Sequence, residues 1–136
     1  MDKLTKTERS LLMSHVRSKD SKPELIVRRM IHRMGFRYRL HSRKLPGSPD
    51  LVFAGRKKLI FVHGCFWHGH SCRAGCNKPS SNQEYWSAKL ERNIKRDRVN
   101  STALRLADWK IFVVWECQTK GKVWLADRLR TFLEAQ

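Results

Sequence analysis

Five side chains able to bind a metal or move a proton lie within ten residues, His63-Gly64-Cys65-Phe66-Trp67-His68-Gly69-His70-Ser71-Cys72. Ordinary core packing has no use for such a composition. Cys65, His70 and Cys72 offer three thiolate or imidazole donors, and a tetrahedral zinc site takes four. Cys76 is the near candidate for the fourth. Cys117, far along the chain, would instead tie the end of a late strand to this loop. The spacing matches no standard zinc finger, so the residues indicate a metal without choosing between the two. His63 and His68 are left over, and an imidazole not bound to metal can act as a general acid or base near neutral pH.

A second candidate is Asp50. It follows Leu45-Pro46-Gly47-Ser48-Pro49, a turn stiffened by two prolines around a glycine, and leads into Leu51-Val52-Phe53. Packing gives a carboxylate little purpose there. Hard divalent cations such as Mg²⁺ take carboxylate oxygens, and they stabilise the charge that develops when a phosphodiester is hydrolysed. Glu24 is ambiguous, because a role in capping a helix already accounts for it. Phe66 and Trp67 either anchor the loop to the core or, in a basic protein, act as a wedge between base pairs. Trp86 could join them.

The elements that must position these groups can be read from the pattern. Ser21 as N-cap, Pro23 in the first turn and Glu24 open a helix with an apolar stripe of Ile26, Val27, Met30, Ile31 and Met34, ended by Gly35. Phe36 to Leu40 alternates as a strand. Leu51-Val52-Phe53 and Leu59-Ile60-Phe61-Val62 form a hairpin around Gly55 to Lys58. Glu84 to Leu106 reads as a long helix with Trp86, Leu90, Ile94 and Leu104 inward. Trp109 to Trp115 reads as a buried strand, and Val123 to Leu133 as a closing helix with Val123, Ala126, Leu129 and Phe132 or Leu133 inward. The order α-β-β-β-α-β-α predicts an α/β sandwich with a mixed sheet.

Composition says what such a scaffold meets. The chain of 136 residues carries 29 Lys and Arg against 12 Asp and Glu, a formal charge of +17. That density of base points to a polyanion, since Lys and Arg displace phosphate counterions. A membrane surface is the rival anion, but the sequence has no long apolar run and no lipidation motif. No apolar segment follows Met1-Asp2-Lys3-Leu4-Thr5, so the expectation is a cytoplasmic protein whose cysteines are metal ligands or thiols rather than disulfides. No linker or repeat divides it, and residues 1–136 are expected to form one domain.

Several motifs in one order carry a resemblance. Arg17-Ser18-Lys19-Asp20-Ser21-Lys22-Pro23-Glu24, Gly35-Phe36-Arg37-Tyr38-Arg39-Leu40, Leu45-Pro46-Gly47-Ser48-Pro49-Asp50, Phe61-Val62-His63-Gly64-Cys65-Phe66-Trp67-His68, Asn93-Ile94-Lys95-Arg96-Asp97 and Trp115-Glu116-Cys117 together resemble the very short patch repair (Vsr) endonucleases of bacteria. The resemblance implies a restriction-endonuclease-like fold of the PD-(D/E)-x-K type, a mixed central sheet flanked by helices with a structural zinc site. Phe61-Val62-His63 stands where many relatives of that wider fold have Glu-x-Lys. It also implies a nick on the 5′ side of the thymine in a T:G mismatch, the lesion left by deaminated 5-methylcytosine.

By the same resemblance Asp50 would bind Mg²⁺ together with the backbone carbonyl of Val62. His63 and His68 would be the catalytic histidines. Glu24 would orient His68 or a water, and Asp97 would belong to the same site. The zinc ligands would be Cys65, His70, Cys72 and Cys117, which leaves Cys76 in a stretch, residues 73–77, that looks like an insertion. Phe66, Trp67 and Trp86 would intercalate, and Met13, in an N-terminal DNA-contacting arm of residues 1–19, would wedge from the minor groove. The expected partner is duplex DNA with a T:G mismatch, bound by a monomer. Two rivals stand beside this: a nuclease of the same fold with another target, in restriction, phage defence or homing, and a zinc-dependent DNA-binding module without catalysis.

Overall fold

A computed structural model describes residues 21–65, 68 and 83–135. Four strands form one sheet in the order β1-β2-β3-β4: Arg39–Leu40, Leu51–Phe53, Lys58–His63 and Lys110–Trp115. The first three pair antiparallel and the last pair is parallel. A parallel pair needs a long crossover, and helix α2, Gln83–Leu106, lies between β3 and β4 in the chain. Helix α1, Lys22–Arg33, precedes the sheet and α3, Lys122–Glu134, follows it. Among the described residues this is the expected α-β-β-β-α-β-α order with a mixed sheet.

Alternation along the strands divides the core in two. Leu51, Phe53 and Ile60 pack with Val27 and Ile31 of α1, Val114 of β4, and Leu125, Leu129 and Leu133 of α3. Val52, Leu59 and Phe61 point the other way, toward Leu104 of α2. Side chains two apart in a strand share a face, so Asp50 and His63, in phase with Val52 and Phe61, belong to the α2 side. Each fully buried Leu or Ile contributes about 1.5–3 kcal/mol relative to exposure, and these two layers pack both faces of the sheet.

Several elements differ from their sequence reading. The first strand is Arg39–Leu40 rather than Phe36 to Leu40, because β2 is three residues long and gives β1 only Val52 and Leu51 to pair with. Lys58 belongs to β3 rather than to the turn, and it is buried. Its ammonium bonds Phe132 O at 2.6 Å, Leu133 O at 3.0 Å and Ala135 O, so a cation satisfies the open carbonyls at the end of α3. Val123 is 88% exposed instead of inward. The buried stripe of α3 is Leu125, Leu129 and Leu133, and Val123 lies about 200° round the helix from Leu125. Strand β4 starts at Lys110 and buries only Val114 completely, since it is an edge of the sheet. Ile94 is half-buried rather than inward. No helix among the described residues is long and apolar enough to cross a membrane.

Candidate active site

At the end of the sheet where β2 begins and β3 ends, a cleft of about 1020 Å³ opens between the start of α1 and the middle of α2. Its chemistry has two sides. On the first, Asp50 is held by the backbone: its Oδ2 accepts the Val62 N–H at 2.7 Å. The turn before it puts Gly47 at φ 78° and Ser48 at φ 48°, left-handed conformations that bring the chain round sharply onto β2. Asp50 is 9% exposed. Burial lifts its carboxyl to about 7; the Val62 N–H opposes the rise and the Glu24 carboxylate adds to it.

Glu24 reaches Asp50 because Ser21 starts α1 at the rim of the cleft. Ser21 Oγ accepts the Glu24 N–H at 3.4 Å. The Glu24 carboxylate does something other than cap: it is 1% exposed and bonds His41 Nε2 at 2.8 Å and Arg28 Nη1 at 3.3 Å, both through Oε2. One ligand atom from each of Glu24, His41 and Asp50 lies within 4.8 Å of the others. Two acids crowded together away from water repel when ionised, and a divalent cation between them removes that repulsion. The hard carboxylate oxygens of this set, in a cleft that Val62 also lines, fit Mg²⁺.

The second side is made of imidazoles. His63 ends β3 opposite Trp115 of β4, and its ring stacks on His68 with centroids 3.8 Å apart and planes 4° from parallel. His68 Nδ1 meets Asp97 Oδ2 at 2.5 Å across from α2. A carboxylate at Nδ1 orients the ring and aims Nε2 away from α2 as the free edge of the imidazole in its Nδ1–H tautomer. Burial, and then the neighbouring His68, hold His63 down at about 4, with Asp97 opposing. The buried Nδ1 of His63 has no hydrogen-bond partner among the described residues.

The structure therefore brings together all five residues expected to do chemistry: Asp50, His63, His68, Glu24 and Asp97. Cys65 is fully buried and accepts a hydrogen bond from the Cys117 N–H at 3.4 Å, so those two cysteines meet across 52 residues of chain. His70, Cys72 and Cys76 lie outside the described residues, as do Met13, Phe66 and Trp67. Trp86 is 7% exposed and takes the inward place read from the helix period; insertion between bases would require it to swing out. Sequence reasoning passes over His41, the third member of the carboxylate side. Its only signal is an imidazole at the end of the alternating Phe36–Leu40 run.

The family described as DNA mismatch endonuclease Vsr matches residues 1–74. The type II nicking enzyme V.XorIIP of Xanthomonas oryzae pv. oryzae is 47% identical over 98% of this chain and 97% of its own length. The type II nicking enzyme V.NmeAIP of Neisseria meningitidis is 42% identical over 94% of this chain and 91% of its own. The DNA mismatch endonuclease Vsr of Escherichia coli is 33% identical over 93% of this chain and 80% of its own. The chain belongs to the Vsr family of DNA endonucleases. Membership carries a restriction-endonuclease-like fold, with which the mixed sheet agrees, and it removes the reading of a DNA-binding module without catalysis.

Proposed function

We propose that this enzyme nicks one strand of duplex DNA by metal-dependent hydrolysis of a phosphodiester in the cleft between α1 and α2. The observation that carries the reading is the facing pair of sites, the acids Asp50 and Glu24 on one side and the stacked His63 and His68 on the other. Asp50 and the Val62 carbonyl would hold Mg²⁺, with Glu24 beside them, and the ion would supply Lewis-acid stabilisation of the charge that builds on the phosphate. His68, oriented by Asp97, offers Nε2 to take the proton of the attacking water. His63 is neutral at pH 7 in the absence of DNA. It suits a contact with the scissile phosphate or the leaving oxygen, whose negative charge draws a proton toward the imidazole.

The target favoured by similarity is that of the type II nicking enzymes, which share 47% and 42% identity against 33% for the mismatch endonuclease. A second reading, cleavage at a mismatch, is supported by the description of the family matching residues 1–74, and the motif resemblance makes that mismatch the T:G left by deaminated 5-methylcytosine. Both use the same chemistry. They separate on closed circular DNA with matched sites and with single T:G mismatches in several sequence contexts. Nicking confined to T:G circles selects the second reading; nicking of matched circles at a defined sequence selects a different target. Linear product from cuts in both strands, or no cleavage with Mg²⁺ in any context, contradicts the proposal as a whole.

Structural zinc belongs to the same proposal. Cys65 and Cys117 already meet, and His70 and Cys72 would complete the set. Because zinc affinity is coupled to folding, Cys117→Ser should lose the metal and much of the thermal stability, whereas Cys76→Ser should lose neither. Elemental analysis and melting curves of the two variants check this, and the reverse pattern would exchange the two cysteines' roles.

A further inference from the structure

His41 takes no part in that chemistry. It stands directly after β1 with φ 49°, in the left-handed region that non-glycine residues adopt only where their surroundings require it. Two bonds account for that conformation. Its backbone N–H donates to the carbonyl of Asp50 at 3.0 Å, extending the pairing of Leu40 with Leu51 by one step. Its ring Nε2 holds Glu24 Oε2 at 2.8 Å. One residue is thus bonded to the main chain of one acid and to the side chain of the other, although Glu24 lies 17 positions away in sequence. Arg28, one turn along α1, bonds the same Oε2. The Glu24 carboxylate is fixed in rotation and in distance from Asp50.

A ring nitrogen already engaged with a carboxylate orients that carboxylate rather than binding metal itself. We propose that His41 is a positioning residue that clamps Glu24 against Asp50 and so preforms the cradle for the divalent cation. This rests on the reading that Asp50 holds that cation. Partners of this kind, one bond removed from a metal, govern how tightly it is held, because they fix the ligand before the metal arrives.

The test titrates Mg²⁺ calorimetrically into the DNA-free protein and follows the Mg²⁺ dependence of single-turnover nicking. It compares wild type with His41→Asn, His41→Gln and Asp50→Ala. Asn tolerates the left-handed backbone but is too short to reach Glu24, whereas Gln carries its amide nitrogen near the place of Nε2. His41→Asn should weaken Mg²⁺ binding by about 10- to 100-fold and move the Mg²⁺ dependence of nicking to higher concentration by a similar factor. His41→Gln should regain most of that affinity. Wild-type Mg²⁺ affinity in His41→Asn would overturn the clamp. Equal losses in both His41 variants, matched by equal falls in melting temperature, would overturn it too and leave His41 as a support of the fold alone. If Asp50→Ala loses Mg²⁺ while both His41 variants keep it, only the clamp is wrong. If Asp50→Ala still binds Mg²⁺ as wild type does, the underlying assignment of Asp50 fails with it.

Discussion

Glu24 and Asp50 on one side of the cleft, and Asp97 on the other, are all carboxylates next to a histidine, yet they are held in different ways. Glu24 and Asp50 are almost fully buried, and Asp50 is tied to main chain at both ends: its carboxylate to the Val62 N–H and its carbonyl to the His41 N–H. Asp97 and His68 are each about a quarter exposed, at 26% and 22%, and they meet through side chains alone. The buried pair is held by bonds from the protein itself, which suits a fixed cation. The more exposed pair can adjust as water and a phosphate arrive, which suits proton transfer. One fold edge supplies both, because Asp50 and His63 share a strand face with Phe61 while Glu24 comes from α1 and Asp97 from α2.

The largest expected effect lies on the buried side. Asp50→Ala should lower nicking by several orders of magnitude while leaving DNA affinity nearly intact, as a mobility-shift titration beside a rate measurement will show. Retained nicking would show that the cation is not held there. On the other side, His68→Ala should cost about 10²–10⁴-fold in rate at saturating Mg²⁺, the usual contribution of a general base. Asp97→Asn should cost less, because it spoils the orientation of an imidazole that is still present. Equal losses in the two variants would mean that Asp97 acts directly.

Much of this arrangement is legible in the sequence, and the exceptions have physical reasons. The strand phases and the run from His63 to Cys72 are local patterns, so neighbouring residues alone are enough to place the hairpin and the imidazoles. The meaning of Glu24 is hidden because Ser21 and Pro23 make it look like a capping residue, and only long-range packing turns its carboxylate to His41. His41 itself gives almost no signal, since its partners lie 17 residues before it and nine after it, on other elements. On α3, Leu129 and Leu133 fit either of two apolar stripes. The choice of Leu125 over Val123 and Ala126 depends on the face of the sheet that α3 covers.

Acidity offers a finer separation of the two sides. Asp50 near 7 lies above its ordinary value of 3.8, so below about pH 7 the metal-free folded state holds its proton. That contribution to stability is complete below about pH 4 and is lost as pH rises through 7. His63 near 4 lies below its ordinary 6.5, so its contribution is present above 6.5 and is lost as pH falls through 4. Mg²⁺ must displace the Asp50 proton, so its affinity should fall about tenfold per pH unit below 7. The rise in melting temperature given by Mg²⁺ should therefore grow between about pH 6 and pH 8 in wild type and vanish in Asp50→Asn. A gain independent of pH would place the ion elsewhere.

The smallest effect tests the turn that delivers Asp50. Gly47 has φ 78°, and a Cβ there would come within 3.2 Å of Asn100 Nδ2 and of the Phe61 ring. Gly47→Ala should cost about 1–3 kcal/mol of stability through the strained backbone, read in denaturant melts, with a smaller loss of rate than His68→Ala. An unchanged stability would show that the turn tolerates a side chain and that its fit against α2 is not what fixes Asp50.

Both sides of the cleft hold three groups close enough to bind one ion, Glu24 with His41 and Asp50, and His63 with His68 and Asp97. Calorimetric titration of Mg²⁺ into DNA-free Asp50→Ala and His68→Ala, in parallel with wild type, decides between them. A buried cation side and a more exposed proton-transfer side together predict that His68→Ala binds Mg²⁺ with wild-type affinity and that Asp50→Ala does not bind it measurably. Loss of Mg²⁺ binding in His68→Ala, with wild-type binding in Asp50→Ala, would contradict that division and move the cation to the imidazole side.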